Sequence, residues 1–416
     1  MVGSEKALLL LGGSRQQVVA IETANQLGYR TILCDYLPDN PGQFVADVFY
    51  RESTTDRVKI LEIAQREHVS GVLAYSSDPA APTAAYVAEK LGLPTNPLSS
   101  VETLSKKHLF RRFLLEHDFP CPESVAVDCD SSAEDLIRIA SSMSAPWVLK
   151  PTDSSGSKGI SILTEPNVES FESAAAHARE FSRNGVLVLE EYIESCFPRI
   201  IGGDVFVVDG NVAFWGLMSC LRDGELGGLV PVGERNPSGL NDDQIGRCKK
   251  ITQALVDALD IRFGELNVEI ILGKDNVPYF LELGARAGGN MIPVQLSDIS
   301  GINLVEANVR YAIGDTSMDV AFDGNDVPIA TFVLHASEEG IFRGIYYDEA
   351  IRSHIYREVM YTKPGDRVSS FDGANKALGL VFLRFDTVPE METVLEVIDN
   401  YIRPIIGQRL LANHDN

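Results

Sequence analysis

Between residues 6 and 95 apolar runs and amphipathic stretches take turns, and that alternation restricts the chain more than any other feature. "KALLLLGG" reads as a continuous apolar strand, "SRQQVVAIETANQLG" as a helix closing on Gly28, and "YRTILCD" as a second strand. "DRVKILEIAQREH" predicts another helix, followed by the strand "SGVLAYS" and the helix "PAAPTAAYVAEKLG". Strands of this kind separated by helices predict a doubly wound parallel sheet. Gly12-Gly13-Ser14 at the first turn, with Asp35 after the second strand, admits two readings. One is a dinucleotide-binding turn, the other a tight turn in a sheet that binds something else; the glycines do not space as GxGxxG.

Beyond residue 95 the rhythm changes. "NPLSSVETLSKKHLFRRFLLEHDFPCPES" predicts one capped amphipathic helix stopped by Pro120 and Pro122, with Lys106, Lys107, Arg111 and Arg112 on a solvated face. From about 122 to 315 strands, helices and glycine turns follow in an α+β order, with a hairpin turning at Asp209-Gly210 and paired strands "FGELNVEIIL" and "VPYFLELGAR". The last hundred residues predict a small sheet-and-helix domain. A chain of 416 residues is too long for one ordinary core, and two or three domains are expected. Its formal charge of -23 argues against a nucleic-acid or anionic-membrane partner, so any phosphate site must be a local basic pocket. Six scattered cysteines without a CxxC pair and seven histidines without HxxxH signal neither disulfides nor zinc. With no long apolar run, a cytoplasmic location is expected.

Two stretches carry chemistry. "PWVLKP" delivers Lys150 on a short buried strand, and "DSSGSKG" follows as a loop of small residues whose N–H groups can wrap phosphate oxygens. Taken alone, this is equally a solvated hairpin with a lysine at its tip. Glu269 and Glu282 each interrupt an apolar strand, and across a hairpin the two carboxylates can meet at one Mg²⁺. The alternative is two edge glutamates facing water, with an arginine pairing one of them. Arg286 enters the glycine-rich turn Gly284–Asn290, suited to an anionic substrate or a transferring phosphoryl group.

Taken in order, a lysine on the helix before "FPCPE", the strand lysine of "PWVLKP", the "DSSGSKG" loop, the acidic hinge "LEEYI", "NVEI" and "LELGAR" resemble the ATP-grasp superfamily. The form "ELGARAGGN" looks like its carboxylate-amine ligase branch, which includes L-amino acid and dipeptide ligases. The resemblance implies an α/β and α+β architecture: an N-terminal α/β domain over 1–98, an ATP-grasp domain over 99–318 and a C-terminal α+β domain over 319–416. It implies ATP with Mg²⁺ or Mn²⁺ as cofactors, small-molecule carboxylate and amine substrates, and a homodimer as a further expectation. By position it implies that Lys107 and Lys150 meet ATP phosphates and that Ser155, Gly156, Ser157, Lys158 and Gly159 cover them. Glu190, Glu191 and Ile193 fall at the adenine hinge, and Asp204 is the expected ribose carboxylate. Glu269 and Glu282 become the metal ligands, with Arg286, Lys150 and Glu282 catalytic. Gly284 stands where such enzymes commonly place an asparagine. A carboxylase-like or formate-using enzyme, and an ATP-binding module without turnover, share most of these residues. No Walker A motif is present.

Overall fold

The computed structural model describes residues 6–154, 158–222, 230–373 and 376–407. These fall into two compact units, one from 1–217 and 240–324, the other from 218–239 and 325–416.

The first unit opens with the strands Ala7–Leu11 (β1), Arg30–Cys34 (β2), Val48–Tyr50 (β3) and Gly71–Leu73 (β4), all parallel, in the order β3-β2-β1-β4. β1 is apolar throughout because both of its faces are covered. Leu8 and Leu10 pack with Ala20, Ile21 and Ala24 of the helix Val18–Gln26 (α1), whereas Leu9 and Leu11 pack with Ile60, Ile63 and Ala64 of Arg57–Arg66 (α2) and with Ala81–Leu91 (α3). This is the doubly wound sheet that the alternation predicts. Of the two readings of the first turn, the contacts favour the tight turn: the Asp35 carboxylate accepts from Gly13 N–H at 2.8 Å and from Leu37 N–H at 2.9 Å.

The stretch expected as one helix is two, Leu98–Leu104 (α4) and Lys107–Glu116 (α5). Thr103 and Ser105 turn their hydroxyls back onto the carbonyls of Ser99 and Glu102, and Lys106 takes an extended conformation with φ −133°. The break sets Lys106 and Lys107 at the start of α5, where Lys107 N–H bonds Thr152 O at 2.9 Å.

A four-stranded antiparallel sheet comes next, built from Ser124–Asp128 (β5), Trp147–Pro151 (β6), Ser161–Leu163 (β7) and Val186–Glu191 (β8) in the order β5-β8-β6-β7. Further along the chain lie Ile201–Val208 (β9), Asn211–Arg222 (β10), Pro231–Asn236 (β11), Gly264–Leu272 (β12) and Pro278–Gly284 (β13). The turn at Asp209-Gly210 has both residues at positive φ, 50° and 81°, as a two-residue hairpin requires. Within the first unit β12 pairs with both β9 and β13.

In the second unit the end of β10 pairs with β11, and β11 with Ile329–Leu334 (β14). Gly340–Tyr347 (β15), Ile355–Met360 (β16), Arg367–Val368 (β17), Gly379–Arg384 (β18) and Ile402–Gly407 (β19) complete it. β14, β18 and β16 continue one sheet, while β17, β15 and β19 form another. No helix among the described residues is long and apolar enough to cross a membrane.

Candidate active site

In the first unit, α5 brings its lysine against β13, the strand that carries Glu282. Lys107 Nζ donates to Ser154 O at 2.8 Å and lies 3.5 Å from Glu282 Oε2. It therefore touches both the entry to the "DSSGSKG" loop and the candidate metal strand. Ser155, Gly156 and Ser157 lie outside the described residues. At the far side of the loop Lys158 O accepts from Ser154 Oγ at 2.9 Å, and Gly159 takes φ +75°, a conformation that favours glycine.

Lys150 is buried in β6, and its ammonium meets Glu190 Oε1 on β8. Arg111, one turn along α5 from Lys107, takes the other carboxylate oxygen, Nε to Oε2, at 2.9 Å. Its remaining nitrogens donate to Phe280 O at 3.0 Å and Leu281 O at 3.1 Å on β13. Arg111 is 1% exposed, so the solvated basic face expected of this helix is corrected here; Arg112, beside Glu116, does face water. Burial is the largest influence on Lys150 and pulls its pKa down to about 8, with Glu190 opposing and Arg111 adding. Burial alone would raise Glu190; Arg111 and Lys150 outweigh it and hold the carboxyl down at about 2. The backbone of Glu190 lies between β5 and β6, opposite Ser124 and Val148, and Glu191, opposite Trp147, ends β8. Glu191, Tyr192 and Ile193 line a cavity of about 450 Å³ together with Lys274 and Tyr279.

Glu269 and Glu282 are direct register partners across β12 and β13, with a bulge just after Glu269. The pKa of Glu282 is raised, first by burial; Lys107 opposes the rise, while the negative charges of Asp78 and Glu269 add to it. A buried carboxyl raised by neighbouring negative charge suits a divalent cation, whose charge removes the repulsion, and the oxygen donors fit Mg²⁺. Arg286 is held by Asp78 in a two-bond fork, Nε to Oδ1 at 2.6 Å and Nη2 to Oδ2 at 2.9 Å. Asp78 escaped the sequence reading as an individual residue. Its loop, "YSSDPAAPT", is legible in the sequence as a place for substrate-pocket residues, and it leaves the C-terminal end of a parallel strand, where such sheets place ligands.

Asp204 does something other than expected. It is fully buried; Oδ1 accepts from Asn267 Nδ2 at 2.8 Å and Oδ2 from Gly288 N–H at 2.7 Å. Glu265 is pushed well up by burial and by the Asp204 charge, and burial is likewise the largest influence raising Asp204. The carboxylate fastens the Arg286 turn to β9 and is not presented to a ribose.

Residues 106–319, just over half of the chain, match the family described as carbamoyl-phosphate synthase L chain, ATP binding domain. The chain belongs to this ATP-grasp family. Among curated relatives, the formate-dependent phosphoribosylglycinamide formyltransferase of Synechococcus sp. (strain WH7803) is 27% identical over 321 residues, 74% of this chain and 76% of that protein. The carbamoyl phosphate synthase large chain of Corynebacterium glutamicum is 23% identical over 322 residues, which span only 28% of its length. The solved L-amino acid ligase from Bacillus licheniformis shares the fold at a TM-score of 0.79 and 19% identity, over 97% of this chain and 99% of the other. Phosphoribosylglycinamide synthetase from Anaerococcus prevotii gives 0.75 and 21%, over 97% and 100%. The chain's homologues and structural neighbours include ATP-grasp ligases that form C–N bonds.

Proposed function

We propose that the enzyme joins a small carboxylic acid to an amine through an acyl phosphate. The observation that carries this reading is the meeting, within one unit, of Lys107 with Glu282, of Glu282 with its register partner Glu269, and of Asp78 with Arg286 beside them. Lys107 and Lys150 bind the phosphates of ATP, and Glu191 to Ile193 hold the adenine end. Glu269 and Glu282 would hold Mg²⁺, which would supply positive charge to the phosphates. A carboxylate oxygen of the substrate attacks the γ-phosphorus, the bond to the β-bridging oxygen breaks, and ADP leaves. Arg286 offers its guanidinium to the oxygens gathering charge. The amine nitrogen then bonds to the acyl carbon, the carbon–oxygen bond to phosphate breaks, and the amine gives up a proton. Products are the amide, ADP and phosphate.

The likeness to a formate-dependent formyltransferase favours a second reading in which the acid is formate. Formate is the smallest carboxylate, and the same residues would serve it. Phosphate release from ATP, screened over pairs of carboxylates and amines with formate and bicarbonate included, tests both readings. Release that requires an amino acid or larger acid together with an amine supports the first, and release requiring formate supports the second. ATP bound without release under any pairing would overturn both.

A further inference from the structure

Asp78 follows β4 by five residues, in the connection to α3, while Arg286 follows β13 by two. Both Asp78 oxygens meet the guanidinium, and the Nη1 of Arg286 goes to Ala287 O at 3.1 Å, so the side chain is fixed in plane and in rotation. Gly284 explains how the pair fits. Its φ lies outside the left-handed region, so the backbone places no demand for glycine there. A Cβ at this position, however, would meet Arg286 Cζ at 3.3 Å and Asp78 Oδ1 at 3.3 Å. Room for the fork is therefore what glycine supplies. Asp78 and Glu282 line a common cavity of about 280 Å³ with Thr83, Ser105 and Lys106, and Arg286 reaches this wall behind Asp78.

We infer that Asp78 is the positioning residue for Arg286, with Gly284 as the clearance the pair needs, so that the guanidinium stands in one fixed orientation beside Glu282. The carboxylate also keeps that guanidinium from taking up stray anions from solution, because an anion must first compete with a bidentate partner already in place. This inference rests on the reading of Arg286 as the group that meets the transferred phosphoryl or the substrate carboxylate.

The experiment follows the Arg286 Nε–H signal by nitrogen-15 NMR, identified by its loss in Arg286→Lys, in the full chain and in Asp78→Asn, Asp78→Glu and Gly284→Ala. Exchange of this proton with water should quicken at least about tenfold in Asp78→Asn, the scale of one lost hydrogen bond to a charged group. Asp78→Glu should restore part of the protection, and Gly284→Ala should shift the signal because its Cβ presses on the fork. Inorganic phosphate, titrated by calorimetry, should bind more tightly to Asp78→Asn than to the parent chain. An Arg286 signal with unchanged exchange in Asp78→Asn, or one unmoved in Gly284→Ala, overturns the inference. The measurement needs no turnover. Should the protected signal respond as expected while the carboxylate and amine screen yields no phosphate release, the proposed reaction fails and the positioning role stands. If turnover is found, kcat for Asp78→Asn should fall by about tenfold or more with the ATP KM nearly unchanged, the signature of a contact made in the transition state.

Discussion

Glu282 is where the charges of the cleft converge. Burial, Asp78 and Glu269 all push its carboxyl toward the neutral form, and Lys107 holds it back. A bound cation would reverse that balance. Glu282→Gln, nearly the same shape, should keep the fold and bind nucleotide, yet lower turnover by about a hundredfold, the usual scale of one charge-stabilising group. The check is phosphate release at saturating Mg²⁺; an unchanged rate would remove Glu282 from the metal site. Lys150 gives a pH test. Its ammonium titrates near pH 8 in the folded chain, below the ordinary value of 10.5. ATP phosphates favour the charged form. Below pH 8 that form is already present, whereas above it binding must take up a proton, so affinity should fall by up to about tenfold per pH unit as pH rises. Calorimetric titration of ATP across this range checks the slope, and Lys150→Met should bind weakly with no such slope.

Helix α5 ties these residues to the strands around them. Through Arg111 it reaches Glu190 on β8 and the carbonyls of Phe280 and Leu281 on β13. Arg111→Met removes one partner from a buried carboxylate and leaves two carbonyls without theirs, at a cost of about 3–5 kcal/mol. The acid limb should move as well. Glu190 is depressed, so the stability it contributes is fully present above about 4.5 and is lost as pH falls toward about 2. With Arg111 gone the depression shrinks, so the variant should lose less stability over that interval than the parent while being weaker at neutral pH. Urea unfolding at neutral and acid pH reads both effects, and equal midpoints for the two proteins at neutral pH would show the contact to be idle. This helix also shows what the sequence could convey. Apolar periodicity revealed that a helix is there, because it is a local pattern, whereas the residues proposed to face ATP came from the ordered family resemblance along the chain. The break at Ser105-Lys106 was not legible, since ordinary helix formers surround it and the deciding bond, Lys107 N–H to Thr152 O, comes from distant sequence. Arg111 and Asp78 were hidden for the same reason: each is defined by a partner more than seventy residues away. Asp204 misled because a carboxylate after the hinge looks alike whether it faces a ribose or Asn267 and Gly288.

At the scale of the whole molecule, an acidic chain must attract an anion. The formal charge is -23, with 59 acidic against 36 basic side chains, while in the first unit Lys107 lies within electrostatic reach of Lys150 and, with Arg286, of Glu282. The two fields differ in range. At about 0.01 M salt the screening length is roughly 30 Å, so an approaching nucleotide feels repulsion from most of the surface. Near 0.15 M it shrinks to about 8 Å, which hides distant carboxylates but leaves the cleft lysines within reach once the nucleotide arrives. The association rate of MgATP should therefore rise over this interval, the reverse of steering into a basic protein, whose attraction is screened away. The dissociation rate should change less, because the buried Lys150 contact is only weakly screened. Stopped-flow mixing with a fluorescent ATP analogue at several salt concentrations separates the two rates. An association rate that falls steadily with salt would mean that the cleft's own positive field reaches well beyond the protein surface, and that the net charge of the chain does not govern nucleotide capture.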